Sequence, residues 1–428
     1  MHVGAAARVT GELEFAGDKS ISHRLALISL LNEGQIEITN LSDCVDVKSS
    51  LLAATQLGVK ISYSNNKVLL QSFISKEPHD HTIIDCGNSG TTARLLAGIL
   101  TGRAGRHSLI GDESLSRRPM QRIVGPLSAM NAQISSAKNG RLPLTITGSN
   151  SLRAIEFANE TGSAQVKSAI LLAALQAKGK TQIFERYASR DHTERLLIQL
   201  NLPVELDSGS ICLEGPTKLT GNHSFAVPGD ISSAAFFAVA ASILPDSQLI
   251  LKNVLLNPTR TGFLKVLQRM GASVKEHIIS EVWEPRGNLS VNSACLSATD
   301  IDKAEIPALI DELPALAIAM AFANGISRVR GASELRHKET DRIRDLISQL
   351  KIAGVDCQEY PDGFEISGPA KICERVRLDS CNDHRLAMSF AIMALNSRRG
   401  LEVTNTDSIN ISFPNFFTIL SKCAQPNN

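Results

Sequence analysis

The chain has little of what marks several common classes of protein. Aromatic residues make up 4% of its 428 residues, with a single Trp, so few side chains are available to stack on nucleic-acid bases. Its 44 basic residues are balanced by 43 acidic ones, whereas a general nucleic-acid surface carries an excess of positive charge. The composition argues against a nucleic-acid partner, and any anion must be bound by locally placed cations.

Paired cysteines and long apolar runs are also missing. The eight cysteines are scattered without CxxC spacing, which predicts reduced thiols in a cytosolic protein. No apolar run reaches transmembrane length, and the N-terminal segment lacks the apolar core of a signal peptide. We therefore expect a soluble, cytoplasmic protein without a membrane partner. A monomer is our separate expectation, which these patterns do not establish. The cluster His79-Asp80-His81 lacks regular ligand spacing, so no metal site is predicted.

A polar loop that runs into a helix of small apolar residues occurs six times. The gaps between the loops are 70, 73, 67, 81 and 72 residues, and such regularity indicates repeated supersecondary units. The periodicity within a unit predicts the order strand, helix, strand, helix, strand, strand. We expect two compact domains of three units each, with the first helix of every unit buried and a tight hinge near residues 228–230. The loops are anchored on Ser20, Gly90, Ser163, Asp230, Asp311 and Asp383.

These helix starts favour an anionic ligand, because a helix N-terminus offers free N–H groups and a partial positive charge. Segment 87–94, GNSGTTAR, fits a phosphate cradle, but it also fits a plain helix start capped by Ser89 or Thr91. A single cation near such a start is ordinarily a solvated surface charge. Together, the cations favour phosphate or carboxylate binding. They are Lys19, Arg24, Arg94, Arg118, Lys167, Lys338, Arg342 and Arg385.

Three residues are candidates for proton transfer. Asp311 precedes a wholly apolar helix, Glu339 lies between Lys338 and Arg342, and His384 is next to Arg385. Burial near cations could tune such groups for general acid–base work. The structural alternatives are that Asp311 caps its helix and that Glu339 pairs with Arg342 three residues on.

Seven segments carry a resemblance to one family over essentially the whole chain. GDKSISHR, GNSGTTAR, DESLSRRPM, GSAQVKSA, SRDHTER, KETDR and NDHRLAM resemble, in order, the 5-enolpyruvylshikimate-3-phosphate synthases. The resemblance implies an α/β fold of two pseudo-symmetric domains with six βαβαββ repeats, three per domain, whose buried helices point at an interdomain cleft. It also implies a discontinuous domain of residues 1–16 and 231–428, with residues 17–230 inserted as the second domain.

The same resemblance implies a reaction and a set of residues. The enolpyruvyl group of phosphoenolpyruvate moves to the 5-hydroxyl of shikimate 3-phosphate with release of phosphate, and neither a metal nor an organic cofactor is implied. Proton transfer would be shared by Lys19, Asp311, Glu339 and His384. Shikimate 3-phosphate would be bound by Lys19, Ser20, Arg24, Ser163, Ala164, Gln165, Ser189, Asp311 and Lys338. Phosphoenolpyruvate would be bound by Lys19, Gly90, Arg118, Gln165, Arg342 and Arg385.

Several positions of this sequence differ from those of many family members, and two other functions are alternatives. Ile411 stands where many relatives carry a Lys, and Ala164 where some carry a second Ser. Gly90 leaves space where certain glyphosate-tolerant relatives have Ala, so we expect glyphosate to compete with phosphoenolpyruvate. Enolpyruvyl transferases acting on UDP-N-acetylglucosamine usually carry a Cys in the loop that corresponds to residues 111–119, and this loop has none. A non-catalytic scaffold for RNA or phospho-ligands is the remaining alternative.

Overall fold

The computed structural model describes residues 1–72, 81–160 and 162–426. The chain divides into two compact units, of which one comprises Met1–Phe15 and Pro228–Asn428 and the other Ala16–Val227. We refer to them as the split unit and the inserted unit. The domain limits expected from the sequence are residues 1–16 with 231–428 for one domain and residues 17–230 for the other. That these segments are independently folding domains stays a prediction.

Two kinds of α-helix alternate along both units. Helices α1, α3, α6, α8, α10 and α12, as numbered below, are buried along nearly their whole length, because Ala, Leu, Ile and Ser occupy all their faces. Helices α2, α5, α7, α9, α11 and α14 bury one face and expose the other. The helices of the described residues are α1 (Lys19–Ile28), α2 (Val45–Gln56), α3 (Gly90–Leu100), α4 (Glu113–Arg117), α5 (Gln121–Ala129), α6 (Ala164–Ala174), α7 (His192–Gln199), α8 (Ile231–Ile243), α9 (Gly262–Arg269), α10 (Leu313–Phe322), α11 (Arg342–Ile352), α12 (His384–Leu395), α13 (Ile409–Ser412) and α14 (Phe416–Cys423).

Each repeat of the inserted unit contributes one four-stranded sheet. The first strand of each sheet runs parallel to the second, and the other pairs are antiparallel. A helical crossover joins the parallel pair in two of the sheets, whereas in the third the parallel strand His223–Ala226 comes from the end of the unit and pairs with Gln35–Thr39 near its beginning. A further short pair joins Asn32–Glu33 to Leu219–Thr220. In spatial order the strands are His223–Ala226, Gln35–Thr39, Lys67–Ser72 and Val59–Ser64; Thr82–Asp85, Arg106–Ile110, Arg141–Thr147 and Gln133–Ala137; and Glu156–Ala158, Gly179–Phe184, Ser210–Gly215 and Val204–Asp207.

The two ends of the inserted unit meet at Asn40. Val227 N donates to Thr39 O over 3.0 Å, and Asn40 Nδ2 donates to Val227 O over 2.9 Å. Gly17 is so close that an added Cβ would lie 1.8 Å from Asn40 O. The chain therefore enters and leaves this unit at one place, which is how a compact unit can be inserted into another.

The split unit also contains three sheets in its described residues, and its N-terminal segment lies inside one of them. Strand Ala6–Glu14 is parallel to Gln248–Leu255 on one side and antiparallel to Ala424–Pro426 on the other. The ring of Phe15 packs 5.6 Å from that of Phe237. The strands in spatial order are Ser273–Ser280, Arg286–Asn292, Gln248–Leu255, Ala6–Glu14 and Ala424–Pro426; Asp300–Ile301, Gly325–Val329, Gly363–Gly368 and Asp356–Tyr360; and His2–Val3, Leu401–Thr404 and Arg377–Asp379.

The predicted α/β fold is confirmed, including the alternation of buried and half-buried helices in three repeats per unit. Among the described helices, none combines the length and apolar character needed to cross a bilayer. Of the proposed metal-like cluster, His79 and Asp80 lie outside the described residues.

Candidate functional site

The six repeat helices begin in two different ways. Four have a side chain that accepts hydrogen bonds from N–H groups of the first turn, which satisfies donors left open at a helix start. Helices α6 and α10 begin at Ser163 and Glu312 without a side-chain cap. In segment 87–94 the cap is Ser89 rather than Thr91. The capping pairs are Asp18 with Ile21 N, Ser89 with Thr92 N, Asp230 with Ser233 N, and Asp383 with Arg385 N and Leu386 N.

At the first helix start, Lys19 and Arg24 are held by side chains from other repeats or helices. Lys19 Nζ lies 3.0 Å from Asp46 Oδ2 of α2. The buried Arg24 donates over 2.8 Å to Thr193 Oγ1, to Ser168 Oγ and to the carbonyl oxygen of Ser20. Three fixed hydrogen bonds hold the guanidinium plane in one orientation and tie α1 to the third repeat.

A second cluster lies at the start of α3. Arg94 Nη1 donates to Gln165 Oε1 over 2.5 Å, and Gln165 Nε2 donates to Thr91 Oγ1 over 2.9 Å. Arg118 Nη2 donates to Asn88 Oδ1 over 2.8 Å. A Cβ added to Gly90 would lie 2.9 Å from Arg94 Nη1 and 3.5 Å from Arg118 Nη1. Two guanidinium groups therefore lie directly over the N-terminus of α3.

The third helix start is built over a buried ion cluster. Lys167 Nζ lies 2.8 Å from Glu185 Oε2 and 2.5 Å from Glu194 Oε1. Burial alone would lower the pKa of Lys167, but the charges of Glu194 and Glu185 outweigh it and raise that pKa. Burial also raises the pKa of Glu194. Ser189 Oγ donates to Glu185 Oε1 over 2.6 Å, so this cluster positions Ser189.

Ser163 and Ala164 occupy the uncapped start of α6. Ser163 N donates to Asn159 Oδ1 over 3.1 Å, and Ala164 is the first residue of the helix. Asn159 Nδ2 in turn donates to Glu185 Oε1 over 2.7 Å. The loop before α6 is thus joined to the same carboxylate that holds Ser189 and Lys167.

In the split unit, the carboxylate of Asp311 lies within reach of several cations. Its Oδ1 is 3.2 Å from Lys338 Nζ and 3.5 Å from Arg342 Nη1, and its Oδ2 is 3.9 Å from Arg385 Nη2. Asp311 is not the cap of α10, because Glu312 takes the cap position. The sequence-based alternative of a plain capping role therefore does not apply.

Arg342 is the centre of this group. It is 1% exposed, its Nε donates to Asp383 Oδ2 over 2.6 Å, and its Nη2 donates to Glu339. Burial alone would lower its pKa, but the charges of Asp383, Glu339 and Asp311 outweigh burial and raise it, so the guanidinium stays charged. Its Nη1 donates no hydrogen bond within the described residues, which leaves a buried charged donor available to an incoming anion.

Arg385 is linked to the fourth repeat through Glu312. Arg385 Nη1 lies 3.6 Å from Glu312 Oε1 and donates to Asp311 O over 2.6 Å. Glu312 accepts the hydroxyl of Ser232, and Ser232 accepts a hydrogen bond of 2.9 Å from Arg260 Nη2. The fourth helix start, which from its sequence offers no catalytic side chain, therefore supports Arg385 indirectly.

The remaining predicted positions are His384 and Ile411. His384 is the buried first residue of α12, beside Asp383 and Arg385. Ile411 lies half-buried in the short helix α13 and cannot supply the charge of the Lys found in many relatives.

The predicted residues form two groups, one in each unit. Lys19, Ser20, Arg24, Gly90, Arg118, Ser163, Ala164, Gln165 and Ser189 belong to the inserted unit, and Asp311, Lys338, Glu339, Arg342, His384 and Arg385 belong to the split unit. Sequence reasoning missed the partners that orient them, because no local motif marks those residues. They are Asp46, Asn88, Glu185, Glu194, Ser232, Arg260, Glu312 and Asp383 in its role as a partner of Arg342.

Comparison with known proteins gives one consistent result. The family model for EPSP synthase (3-phosphoshikimate 1-carboxyvinyltransferase) matches residues 3–420. A 3-phosphoshikimate 1-carboxyvinyltransferase of Leuconostoc citreum is 45% identical over 417 residues, which is 96% of each chain. An EPSP synthase structure from Acinetobacter baumannii has a TM-score of 0.87 at 36% identity and covers 99% of this chain and 98% of its own.

A more distant structure shares the fold alone. The enolpyruvyl transferase NikO of Streptomyces tendae superimposes with a TM-score of 0.79 at 14% identity, covering 99% of this chain and 96% of its own. The match of the family model to nearly the whole length, together with relatives above 40% identity, settles the assignment: the chain belongs to the EPSP synthase family of 3-phosphoshikimate 1-carboxyvinyltransferases.

Proposed function

We propose that this transferase moves the enolpyruvyl group of phosphoenolpyruvate to the 5-hydroxyl of shikimate 3-phosphate and releases phosphate, on the shikimate pathway to chorismate and aromatic amino acids. The observation that carries the proposal is the group around Asp311. One carboxylate lies 3.2 to 3.9 Å from the cationic atoms of Lys338, Arg342 and Arg385. A base among cations suits substrates that carry both a phosphate and a carboxylate, together with a hydroxyl that must lose a proton.

The inserted unit supplies binding groups in this proposal. Lys19, Ser20 and Arg24 at the start of α1 bind shikimate 3-phosphate, together with Ser163, Ala164, Gln165 and Ser189. Gly90 and Arg118 at the start of α3 bind phosphoenolpyruvate, to which Lys19 and Gln165 also contribute. In the split unit, Lys338 binds shikimate 3-phosphate, and Arg342 and Arg385 bind phosphoenolpyruvate. The helix starts support these roles, since uncapped first-turn N–H groups and arginines are both good partners of anions.

The chemistry proceeds by addition and elimination. Asp311 takes the proton of the 5-hydroxyl while the hydroxyl oxygen forms a bond to C2 of phosphoenolpyruvate, and Glu339 gives a proton to the C3 methylene. The resulting tetrahedral adduct then gives a proton from its new methyl group back to the Glu339 carboxylate and expels phosphate, which takes the proton held by Asp311, so that the enol double bond is restored. Lys19 and His384 assist these proton transfers. Arg342 and Arg385 stabilise the negative charge that develops on the transferred group.

Phosphate release with purified protein tests the proposal. We expect turnover with phosphoenolpyruvate and shikimate 3-phosphate, and none with UDP-N-acetylglucosamine as the acceptor. Asp311→Asn and Glu339→Gln should each lower kcat by roughly 100-fold or more, the usual scale for loss of a general acid or base. Glu365→Gln, which changes an ion pair with Arg328 of the neighbouring strand in the same unit, is the matched control. Turnover only with the UDP-sugar, or normal kcat in the Asp311 and Glu339 variants, contradicts the proposal.

The proposal extends to the oligomeric state, the location and the partners of the protein. We propose that the protein acts as a monomer in the cytoplasm, with small-molecule substrates and without nucleic-acid or membrane partners. The balance of 44 basic and 43 acidic residues supports the absence of nucleic acid. Light scattering of the purified protein and cell fractionation test these statements, and a filter-binding assay with RNA at physiological salt tests the scaffold alternative.

A further inference from the structure

A chain of buried side-chain hydrogen bonds joins the start of α1 to the start of α3. His23 Nδ1 lies 2.8 Å from Ser50 Oγ, and Ser50 Oγ lies 2.7 Å from Thr92 Oγ1. Thr92 Oγ1 donates to Ser89 Oγ over 2.8 Å. His23 lies between Ser20 and Arg24, two proposed shikimate 3-phosphate residues of α1, and Ser89 directly precedes Gly90. All four side chains are buried, so water does not compete for these bonds.

Counting hydrogens fixes the direction of the chain. A hydroxyl has one hydrogen to donate and two lone pairs to accept with. Thr92 uses its hydrogen on Ser89, so it must accept from Ser50. Ser50 therefore uses its own hydrogen on Thr92 and must accept from His23. Ser89 accepts twice, from Thr92 Oγ1 and from Thr92 N over 3.1 Å, so both of its lone pairs are occupied.

The same count assigns the tautomer of His23. Nδ1 must carry the hydrogen that Ser50 accepts, and Nε2 has no hydrogen-bond partner among the described side chains. Burial, together with the charges of Lys19 and Arg24, holds the pKa of His23 well below its ordinary value despite the opposing charge of Asp18. The ring is therefore neutral, with a hydrogen on Nδ1 and a lone pair on Nε2. In the opposite tautomer Nδ1 would accept from Ser50, Ser50 would accept from Thr92, and Thr92 would accept from Ser89. The Ser89 hydrogen would then be used within the protein.

One donor remains unused at the end of the chain. In the described part of the protein, no atom accepts a hydrogen bond from the Ser89 hydroxyl, although Ser89 is only 2% exposed. The space over the adjacent Gly90 is bordered by Arg94 Nη1 and Arg118 Nη1, which would lie 2.9 Å and 3.5 Å from a Cβ at that position. Ser89 directly precedes Gly90, and an anion that these two guanidinium groups attract to the start of α3 would offer the Ser89 hydroxyl an acceptor.

We propose that Ser89 is a further phosphoenolpyruvate-binding residue, whose hydroxyl donates to an anionic oxygen of that substrate, and that His23 is a positioning residue that keeps this hydrogen available. The inference rests on the proposed function, because it assigns the start of α3 to phosphoenolpyruvate. It adds a side-chain donor to the backbone position at Gly90 and gives a role to a buried histidine that the reaction itself does not use.

Steady-state kinetics with two substitutions separate donation from helix capping. Ser89→Gly removes the hydroxyl but costs the helix start little, since Gly is a nearly neutral replacement at an N-cap. Ser89→Thr keeps both the cap and the donor. For Ser89→Gly we expect the KM for phosphoenolpyruvate to rise roughly 10- to 100-fold, the scale of a hydrogen bond to a charged group, while calorimetry gives an unchanged Kd for shikimate 3-phosphate. Ser89→Thr should stay close to the parent enzyme.

Three results would overturn the proposal. They are a KM in Ser89→Gly that stays near the parent value, a shikimate 3-phosphate Kd that weakens as much as the KM, and an equal loss in Ser89→Thr. Nitrogen NMR of histidine-labelled protein tests the direction of the hydrogen bonds between His23 and Ser89, with His23→Asn used to assign the His23 signal. A protonated Nδ1 beside an unprotonated Nε2 supports the direction, and the reverse pattern refutes it. Absence of turnover in the parent enzyme would instead count against the proposed function, while the NMR result would still decide the direction.

Discussion

At Gly90 a single hydrogen in place of a side chain leaves the start of α3 open. A methyl group there would press on Arg94 Nη1 at 2.9 Å and approach Arg118 Nη1 at 3.5 Å. We therefore expect Gly90→Ala to raise the KM for phosphoenolpyruvate roughly 10-fold, as displacing one charged contact does, with little effect on the shikimate 3-phosphate Kd. Glyphosate, expected to compete with phosphoenolpyruvate, should show a raised inhibition constant as well.

The chain contains a matched control for that substitution. Gly125 lies inside helix α5, and an added Cβ there would meet no heavy atom within 4 Å. Gly125→Ala should leave the kinetics unchanged; because Pro126 follows directly and disfavours a helical residue with a Cβ before it, no gain in stability is expected. Equal kinetic effects of the two substitutions, or non-competitive inhibition by glyphosate, would contradict the assignment of Gly90.

His23 also gives a pH dependence of folding. Its pKa in the folded protein lies well below the ordinary 6.5, first through burial and then through Lys19 and Arg24. Below that ordinary value the unfolded chain binds a proton that the folded chain refuses. Stability is thus complete above the unfolded pKa and falls with decreasing pH, by up to about 1.4 kcal/mol per unit. His23→Asn removes this contribution, so urea titrations between about pH 5 and 7 should show a shallower loss in the variant.

Single residues also show where sequence reasoning stops. The cations at the helix starts were predictable because each lies beside Gly, Ser or Asp at a repeated position. Their partners were not, since Lys19 meets Asp46 from another helix and Arg385 meets Glu312 from another repeat. Such pairs depend on tertiary packing, which no local pattern encodes. In the sequence Glu312 is one more acidic residue at a helix start, yet in the structure it is 1% exposed.

At the scale of an element, one side chain at the start of α12, that of Asp383, both caps the helix and binds Arg342. Asp383 Oδ1 caps the helix through Arg385 N at 2.8 Å, and its Oδ2 accepts from Arg342 Nε at 2.6 Å. Asn caps as well as Asp does, but it leaves the buried guanidinium of Arg342 without this ion-pair partner, so Asp383→Asn should lower thermal stability as well as raise the KM for phosphoenolpyruvate. Asp383→Ala should lose about 1 kcal/mol in addition.

A capping variant on another helix provides the comparison. Asp230 caps α8 through Ser233 N at 3.0 Å, and it is not one of the residues to which we assign a substrate. Asp230→Ala should lower the melting temperature without changing the KM for phosphoenolpyruvate. If Asp383→Asn left that KM unchanged, Asp383 would be a cap and nothing more.

The helices were also the elements that the sequence predicted best. Runs of small apolar residues behind a polar loop gave all six buried helices, and the amphipathic pattern gave their half-buried partners. Two short helices, α4 and α13, were not anticipated, because helices of four or five residues carry too little periodicity. The apolar spacing of segment RIVGPLSAM predicts a helix in spite of Pro126, and α5 indeed contains this proline.

For the whole molecule, the discontinuity of the split unit gives a sharp prediction. Strand Ala6–Glu14 lies between Gln248–Leu255 and Ala424–Pro426, so a fragment of residues 228–428 lacks a central strand. Its two neighbours would then expose unpaired backbone groups and the apolar face that Val9 and Leu13 cover. We expect this fragment to be expanded and aggregation-prone, whereas residues 16–227, whose ends meet at Asn40, should unfold cooperatively on their own.

A circular permutant turns this into a direct comparison. Ala6 is paired with Pro426, so a short glycine-rich linker can join residue 428 to residue 1 and return the strand to its place. Residues 228–428 followed by 1–15 should recover a cooperative thermal transition in circular dichroism, which the fragment without residues 1–15 lacks. The two proteins differ only in residues 1–15 and the linker, so the N-terminal segment accounts for the difference: Ala6–Glu14 fills the gap between two strands, and His2–Val3 pairs with Leu401–Thr404. A cooperative transition in the shorter fragment would show that the N-terminal strand is dispensable and that the unit is not defined by its discontinuity.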